Sequence, residues 1–260
     1  MTSISELPVN YQERTGIRYD IKVDGLLGGH SGAEIDKIRA NATLLMARFL
    51  HEFREFGEFG LISLSGGQKD NAIPRQAEAS VLTGQEDGER LVSYAAEFTQ
   101  MLRKEYTGTD EGITVTAVCQ GEKTEQVLHP VSQEKVIFFL MNYPNGIQKM
   151  CGFIEGLVET SCNVGVTRLD EEYLTCSTSV RSSAGSAKKA LAGKIQYLTE
   201  FLGGEYHVEG DYPSWEYRQD SALRPLMVQV YKEMYQKEPA VQVIHAGLEC
   251  GLFYEKNSGT

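Results

Sequence analysis

The chain carries five histidines, and His30 stands in the setting best suited to meet a ligand, the glycine-dense run Gly28-Gly29-His30-Ser31-Gly32. An imidazole presented from such a turn can donate a hydrogen bond to a carbonyl oxygen as negative charge gathers on it. The alternative is a turn histidine whose neighbours are glycine only because the backbone needs positive φ. Asn71, in Asn71-Ala-Ile-Pro74, is a second polar candidate, although asparagine before such a pair is also an ordinary turn former. Arg181, in Ser179-Val-Arg-Ser, has the planar, permanently charged group that grips both oxygens of a carboxylate; the alternative is an arginine that merely solvates a strand end. His245 and Glu249 lie four apart directly after the apolar stretch 241–244, at the strand end where open α/β sheets place ligands. A metal held by that pair would lack a third ligand.

Elements that would hold these residues follow from hydrophobic period. Ile17, Tyr19, Ile21 and Val23 alternate with Arg18, Asp20, Lys22 and Asp24, which predicts a half-buried strand over 17–24 leading into the histidine turn. Apolar residues at helical spacing then predict a helix over 34–56, with Ser31 as N-cap and Glu34 closing a capping box. Strands 59–66 and 73–83, helix 87–106 and strand 112–120 complete a β-α-β-β-α-β unit of ferredoxin-like type. A second unit reads as an extended piece near 125–129, helix 132–143, strands 157–168 and 172–182, helix 184–202 and strand 205–210. Helix 221–235, strand 241–244 and a helix from about 247 have the order of an α/β sheet. The expected fold is therefore α+β, with two tandem units built on antiparallel sheets and a partial α/β segment after them. The corresponding division is 1–16 linker, 17–122 first unit, 123–210 second unit and 211–260 partial domain.

Composition narrows the function classes. Of 260 residues, 41% are hydrophobic, enough for a substantial core. A net charge of −11 with no basic cluster argues against nucleic acid or an anionic membrane surface as partner. The five cysteines are odd in number and lack C-x-x-C spacing, so they read as reduced thiols of a cytoplasmic protein rather than a disulfide or zinc framework. No secretory segment precedes residue 17, and no apolar run approaches a membrane span.

Five segments carry a resemblance. G-L-L-G-G-H-S-G-A-E-I (25–35), S-G-G-Q-K-D-N-A-I-P-R (65–75), G-L-V-E-T-S-C-N-V-G-V (156–166), G-D-Y-P-S-W-E-Y (210–217) and I-H-A-G-L-E-C-G-L-F (244–253) occur in order. In that order and spacing the chain resembles the aminoacyl-histidine dipeptidases, also called Xaa-His or cytosol non-specific dipeptidases or peptidase D. These are dizinc metallopeptidases related to the aminoacylases and carboxypeptidase G. The resemblance implies that the two units form the lid, with His30 polarising the scissile carbonyl and Asn71, Arg181, His245 and Glu249 near the substrate. Arg181 matches the arginine of the family's D-x-R pattern, whose Asp is Ser179 here, and the first unit has Leu82-Thr83 at the equivalent strand end. Tyr212, Trp215 and Tyr217 read as a buried aromatic join between the lid and the catalytic segment.

The family's zinc ligands and general base find no match. No histidine begins an H-x-D, and the single E-E pair, Glu171-Glu172, follows Asp170 in what reads as a hairpin turn. The chain is thus expected to be an internal fragment, with both zinc ions of the full-length family enzyme bound elsewhere, none bound here, and no activity alone. Its expected partners are a dipeptide, the missing catalytic halves and a second copy in a homodimer. His30 and Arg181 should both be solvent-accessible. The competing reading is a non-enzymatic tandem ferredoxin-like module for ligand binding or dimerisation.

Overall fold

Alternation in Tyr11–Asp24 builds the strand that carries the chain into the histidine turn: Tyr19, Ile21 and Val23 are buried while Arg18, Asp20 and Lys22 face outward. A computed structural model describes residues 1–214, 221–241, 252–253 and 256. In chain order the elements are β1 (Thr2–Pro8), β2 (Tyr11–Asp24), β3 (Gly29–His30), α1 (Ala42–Phe53), β4 (Phe59–Gly66), β5 (Ala72–Ile73) and β6 (Ala77–Thr83). Then come α2 (Gln85–Glu105), β7 (Thr114–Leu128), α3 (Pro130–Asn142), β8 (Gly146–Met150), β9 (Val158–Leu169) and β10 (Tyr173–Ser182). α4 (Gly185–Phe201), β11 (Glu205–Glu209) and α5 (Leu223–Tyr235) follow.

Nine strands form one sheet in the order β11-β1-β10-β9-β4-β6-β2-β7, with β8 added beside β9, while β3 and β5 make a separate two-stranded ladder. Every pairing is antiparallel. The fold is mixed α/β with a mainly antiparallel sheet. Helices α1 to α4 share one apolar core with the inward side chains of both halves of the sheet. The stripe Leu91, Ala95, Phe98 and Leu102 of α2 is buried in it, as its helical spacing predicts.

The two halves are nested, whereas the sequence suggests that they follow one another. Residues 1–16, expected as a linker, form β1 and the start of β2. β1 lies between β10 and β11, pairing Thr2 with Ser179 and Ile4 with His207, and so serves as the first strand of the half that contains β9 to β11. The stretch near 125–129, expected in that place, instead ends β7 and pairs with Tyr11–Arg14. Residues 11–128 are therefore an insertion between β1 and α3. Hydropathy conceals β1 because two of its inward residues are serines. Their hydroxyls are satisfied inside, Ser3 with the Tyr206 hydroxyl at 2.7 Å and Ser5 with Thr199 at 2.9 Å.

The helix expected over 34–56 also divides. Ile35–Lys37 makes a single 3-10 turn ended by Ile38 at φ 53°, and Asn41 starts α1 afresh by accepting from the backbone N–H groups of Thr43 and Leu44. The strand expected over 73–83 breaks into β5 and β6 around Pro74. Helix 221–235 is observed as α5, whose described side chains are all outside the core, and strand 241–244 lies outside the described residues but for Val241. No described helix is long and apolar enough to cross a membrane.

Leu7, the one apolar anchor that β1 sends fully into the core, tests the nesting directly. Leu7→Ala should lower the unfolding free energy by about 2–5 kcal/mol. Urea denaturation measures this, and a loss under roughly 0.5 kcal/mol, the usual size for a surface position, would mean that residues 2–8 are the tether the sequence suggests.

Candidate functional site

The halves meet along β9, whose outer edge is shared between two short partners. β8 pairs with its first residues, Gly146 opposite Cys162, and β4 with its last, Ser65 opposite Arg168 and Gly66 opposite Thr167. Between these ladders side chains do the pairing. The N–H of Val164 donates to Asn145 Oδ1 at 2.9 Å, and its carbonyl accepts from Asn41 Nδ2 at 2.9 Å. Arg168 adds bonds to the carbonyls of Gly66 and Gly67 at 3.0 and 2.7 Å. Asn41 thus caps α1 with one end of its amide and bridges the seam with the other.

On this seam rests the loop after β4. The Nδ2 group of Asn163 donates to the carbonyls of Asp70 at 3.2 Å and Ala72 at 2.9 Å, on either side of Asn71. Glycines permit the close approach. A Cβ on Gly165 would lie 2.2 Å from the Asp70 carbonyl oxygen, and one on Gly67, at φ +70°, would lie 1.8 Å from that of Gly165. The loop then carries the histidine turn, because β5 pairs Ala72 with His30 and the Asn71 carbonyl accepts from Ser31 N–H at 2.9 Å.

His30 is exposed, as expected, and its ring is oriented from one side. Nδ1 accepts from the N–H groups of Gly32 and Ala33 at 3.1 and 3.0 Å, so in the neutral ring Nε2 carries the proton. Glu34 accepts from His30 N–H at 2.9 Å and pairs with Arg39, also at 2.9 Å. The backbone bond, helped by Arg39, holds the Glu34 carboxyl below its ordinary range. The capping box expected on Ser31 therefore closes on His30, and the Ser31 hydroxyl is buried without a partner. Both flanks of the turn are tied to one carboxylate: Asp110, fully buried, accepts from Leu27 N–H at 2.7 Å and Ala40 N–H at 2.8 Å.

Arg181 comes from the other half. Its neighbour Val180 is in the core, so strand alternation turns Arg181 to the opposite face of the sheet, where Thr2 Oγ1 donates to Asp70 at 2.7 Å. Asp70 is its charge partner, and burial lowers its pKa while Asp70 raises it. Arg181 is half-buried rather than freely accessible, and its Nε has no hydrogen-bond partner. His30 and Asn71 thus share one loop assembly of the inserted half, and Arg181, on the other half, is linked to it electrostatically through Asp70. A shallow cavity beside Asn71 is floored by Thr2, Ile4, Val166 and Ser177. His245, Glu249, Trp215 and Tyr217 lie outside the described residues, whereas Tyr212 is exposed.

Sequence reasoning passes over Asn163, Asn41 and Asp110. Asn163 stands inside the segment 156–166, between the apolar residues Cys162 and Val164 of a strand that also holds Glu159, Thr160 and Ser161, so its polarity alone does not set it apart. Asp170 accepts from Glu172 and Tyr173 N–H at 2.9 and 2.8 Å, so the Glu171-Glu172 pair sits in the β9–β10 turn. Among the described residues one group offers three clustered ligand atoms, Glu6, Glu205 and His207 on the β1–β11 edge, with two of the three exposed. A two-zinc centre needs two such sets with a bridging carboxylate, and these residues do not fit it. The described cysteines are free thiols, and burial pushes Cys162 up to about 12 and Cys176 up to about 11.

Known proteins resemble this chain in sequence and in fold. Residues 21–110 match the family described as peptidase dimerisation domain. The cytosol non-specific dipeptidase of Escherichia coli (strain K12) is 31% identical over 235 residues, which span 90% of this chain and 48% of that protein. The crystal structure of aminoacylhistidine dipeptidase from Vibrio alginolyticus superposes with a TM-score of 0.85 at 31% identity, covering 98% of this chain and 52% of that one. The chain spans about half the length of the relatives it matches.

Asp110→Ala leaves the N–H groups of Leu27 and Ala40 unpaired, and the buried one at Ala40 costs about 1–3 kcal/mol. The variant should melt cooperatively at lower temperature, with faster amide exchange at Leu27 and Ala40. Unchanged exchange at both amides would show that the turn is held by other contacts.

Proposed function

Because this chain belongs to the aminoacyl-histidine dipeptidase family, we propose that it is the lid and substrate-binding portion of a metal-dependent dipeptidase acting on unblocked dipeptides of the Xaa-His type. The observation that carries this reading is the His30 ring, exposed, with Nδ1 tied to its own turn and Nε2–H left as the donor. A donor fixed before the reaction stabilises charge developing on a carbonyl oxygen without reorganising. Asn71 offers a second polar contact from the same loop, and Arg181 supplies the guanidinium for the free carboxylate of the substrate. His245 and Glu249 complete the proposed contacts.

This chain's own work is to bind, orient and stabilise. The hydrolytic centre, with its metal and general base, is supplied by other parts of the full-length protein, so the chain alone is inactive. The match over 21–110 supports a homodimer, and the name of the E. coli relative supports a cytoplasmic location.

Two measurements test the assignment. The chain alone, given zinc or manganese and Gly-His, should show no turnover; metal-dependent turnover that survives repurification contradicts the division of labour. In a full-length protein carrying this segment, His30→Ala should lower kcat about a hundred- to a thousandfold, the typical effect of losing an oxyanion donor. Arg181→Ala should instead raise KM, by roughly 10- to 100-fold, for the loss of a charged hydrogen bond. Lowered melting temperatures with unchanged kinetic constants would return both residues to structural roles.

A further inference from the structure

Asn163 is 1% exposed, and its whole donor capacity is spent on another half of the molecule. Both protons of Nδ2 go to carbonyls of the loop that projects from the inserted half, and those carbonyls flank Asn71. Neither carbonyl belongs to a ladder of the large sheet, where a strand neighbour would satisfy it. From Ala72 the constraint passes through one antiparallel pair to His30, and from Asn71 through one backbone bond to Ser31. On its own half, Asn163 stands opposite Ser179, two residues before Arg181 on the neighbouring strand. One side-chain amide therefore links the strand pair that carries Arg181 to the loop that carries Asn71 and, through it, to the His30 turn.

We infer that Asn163 is a positioning residue, which sets Asn71 and His30 relative to Arg181 by holding the 70–72 backbone against β9; the kinetic meaning of this role rests on the dipeptidase reading. The Oδ1 atom of Asn163 is buried and has no partner. An isolated buried acceptor is unfavourable, and a buried side chain kept for packing would do better as Leu. The amide is retained for its two donors. Asn145 is the natural contrast: it satisfies Val164 of the same seam at a similar distance but does not touch the loop.

The test compares Asn163→Leu, Asn163→Asp, Asn163→Gln and Asn145→Leu in the full chain, by residue-resolved amide exchange and by the His30 ring resonances. Asn163→Leu and Asn163→Asp should speed exchange at Ser31 and Ala72 about tenfold or more, the scale for losing a buried hydrogen bond, and should shift the His30 ring signals. Asn163→Gln, which keeps the donors, should restore part of the protection. Asn145→Leu should lower the melting temperature without moving either readout. Unchanged Ser31 and Ala72 exchange in a folded Asn163→Leu protein, or equal acceleration in Asn145→Leu, overturns the inference. A Gly-His titration of the wild-type chain, followed at His30 and Arg181, separates the two ideas. If no signal moves, the dipeptide reading fails while the exchange result still decides the role of Asn163.

Discussion

Strand β9 must satisfy a backbone edge for which it has two short partners and a gap between them, and the register between the two halves follows from how that gap is closed. A buried N–H or C=O left unpaired costs about 1–3 kcal/mol, so the gap cannot simply be tolerated in a domain of ordinary stability. Asn145 and Asn41 close it at Val164, and Arg168 extends the join to Gly66 and Gly67. The groups that close it come from sequence-distant elements. Pairing them fixes the register between the halves at the one place where the 67–73 loop crosses.

That crossing turns a stability device into a functional one. With glycine at 67 and 165 the loop lies directly on β9, and Asn163 holds it there. The histidine turn is then secured three ways: by β5 on one side, by Asp110 at both flanks, and by its own Nδ1 bonds within the turn. The ring is consequently a donor at Nε2 rather than a freely rotating imidazole. Arg181 reaches the same side of the seam with the opposite sign of constraint, half-buried, its Nε unpaired and its charge faced by Asp70. An unpaired buried donor is a group that gains from an incoming acceptor.

Local pattern made much of this legible. β4 runs over 59–66 as its apolar run indicates, α2 buries the stripe Leu91 to Leu102, and α5 differs from expectation by two residues at its start. β4 and α2 are decided by their own period against one core. β1 was not legible as a strand because its inward positions are serines, and a serine is acceptable inside only when a distant hydroxyl meets it. The break at Ile38 escaped for a related reason, since apolar residues continue at helical spacing while the choice of Asn41 as a cap depends on the seam. The nesting of the halves is likewise invisible locally, because a strand's partner is set by the sheet and not by its own residues. At the site, His30 and Asn71 stood out through turn chemistry. Asn163 and Asp110 did not, as a polar residue among other polar strand residues or a loop acid gains its meaning only from what folds against it.

The most direct test of this seam-assembled site is through-hydrogen-bond NMR on the isotopically labelled chain, reading scalar couplings from Asn163 Nδ2 to backbone carbonyl carbons. Couplings to the carbonyls of Asp70 and Ala72, with slow exchange of the Asn163 side-chain amide protons, are the predicted result. An Asn163 amide that exchanges freely and shows proximity only to residues of its own half would contradict it, and with it the docking of the Asn71 loop and the His30 turn on β9.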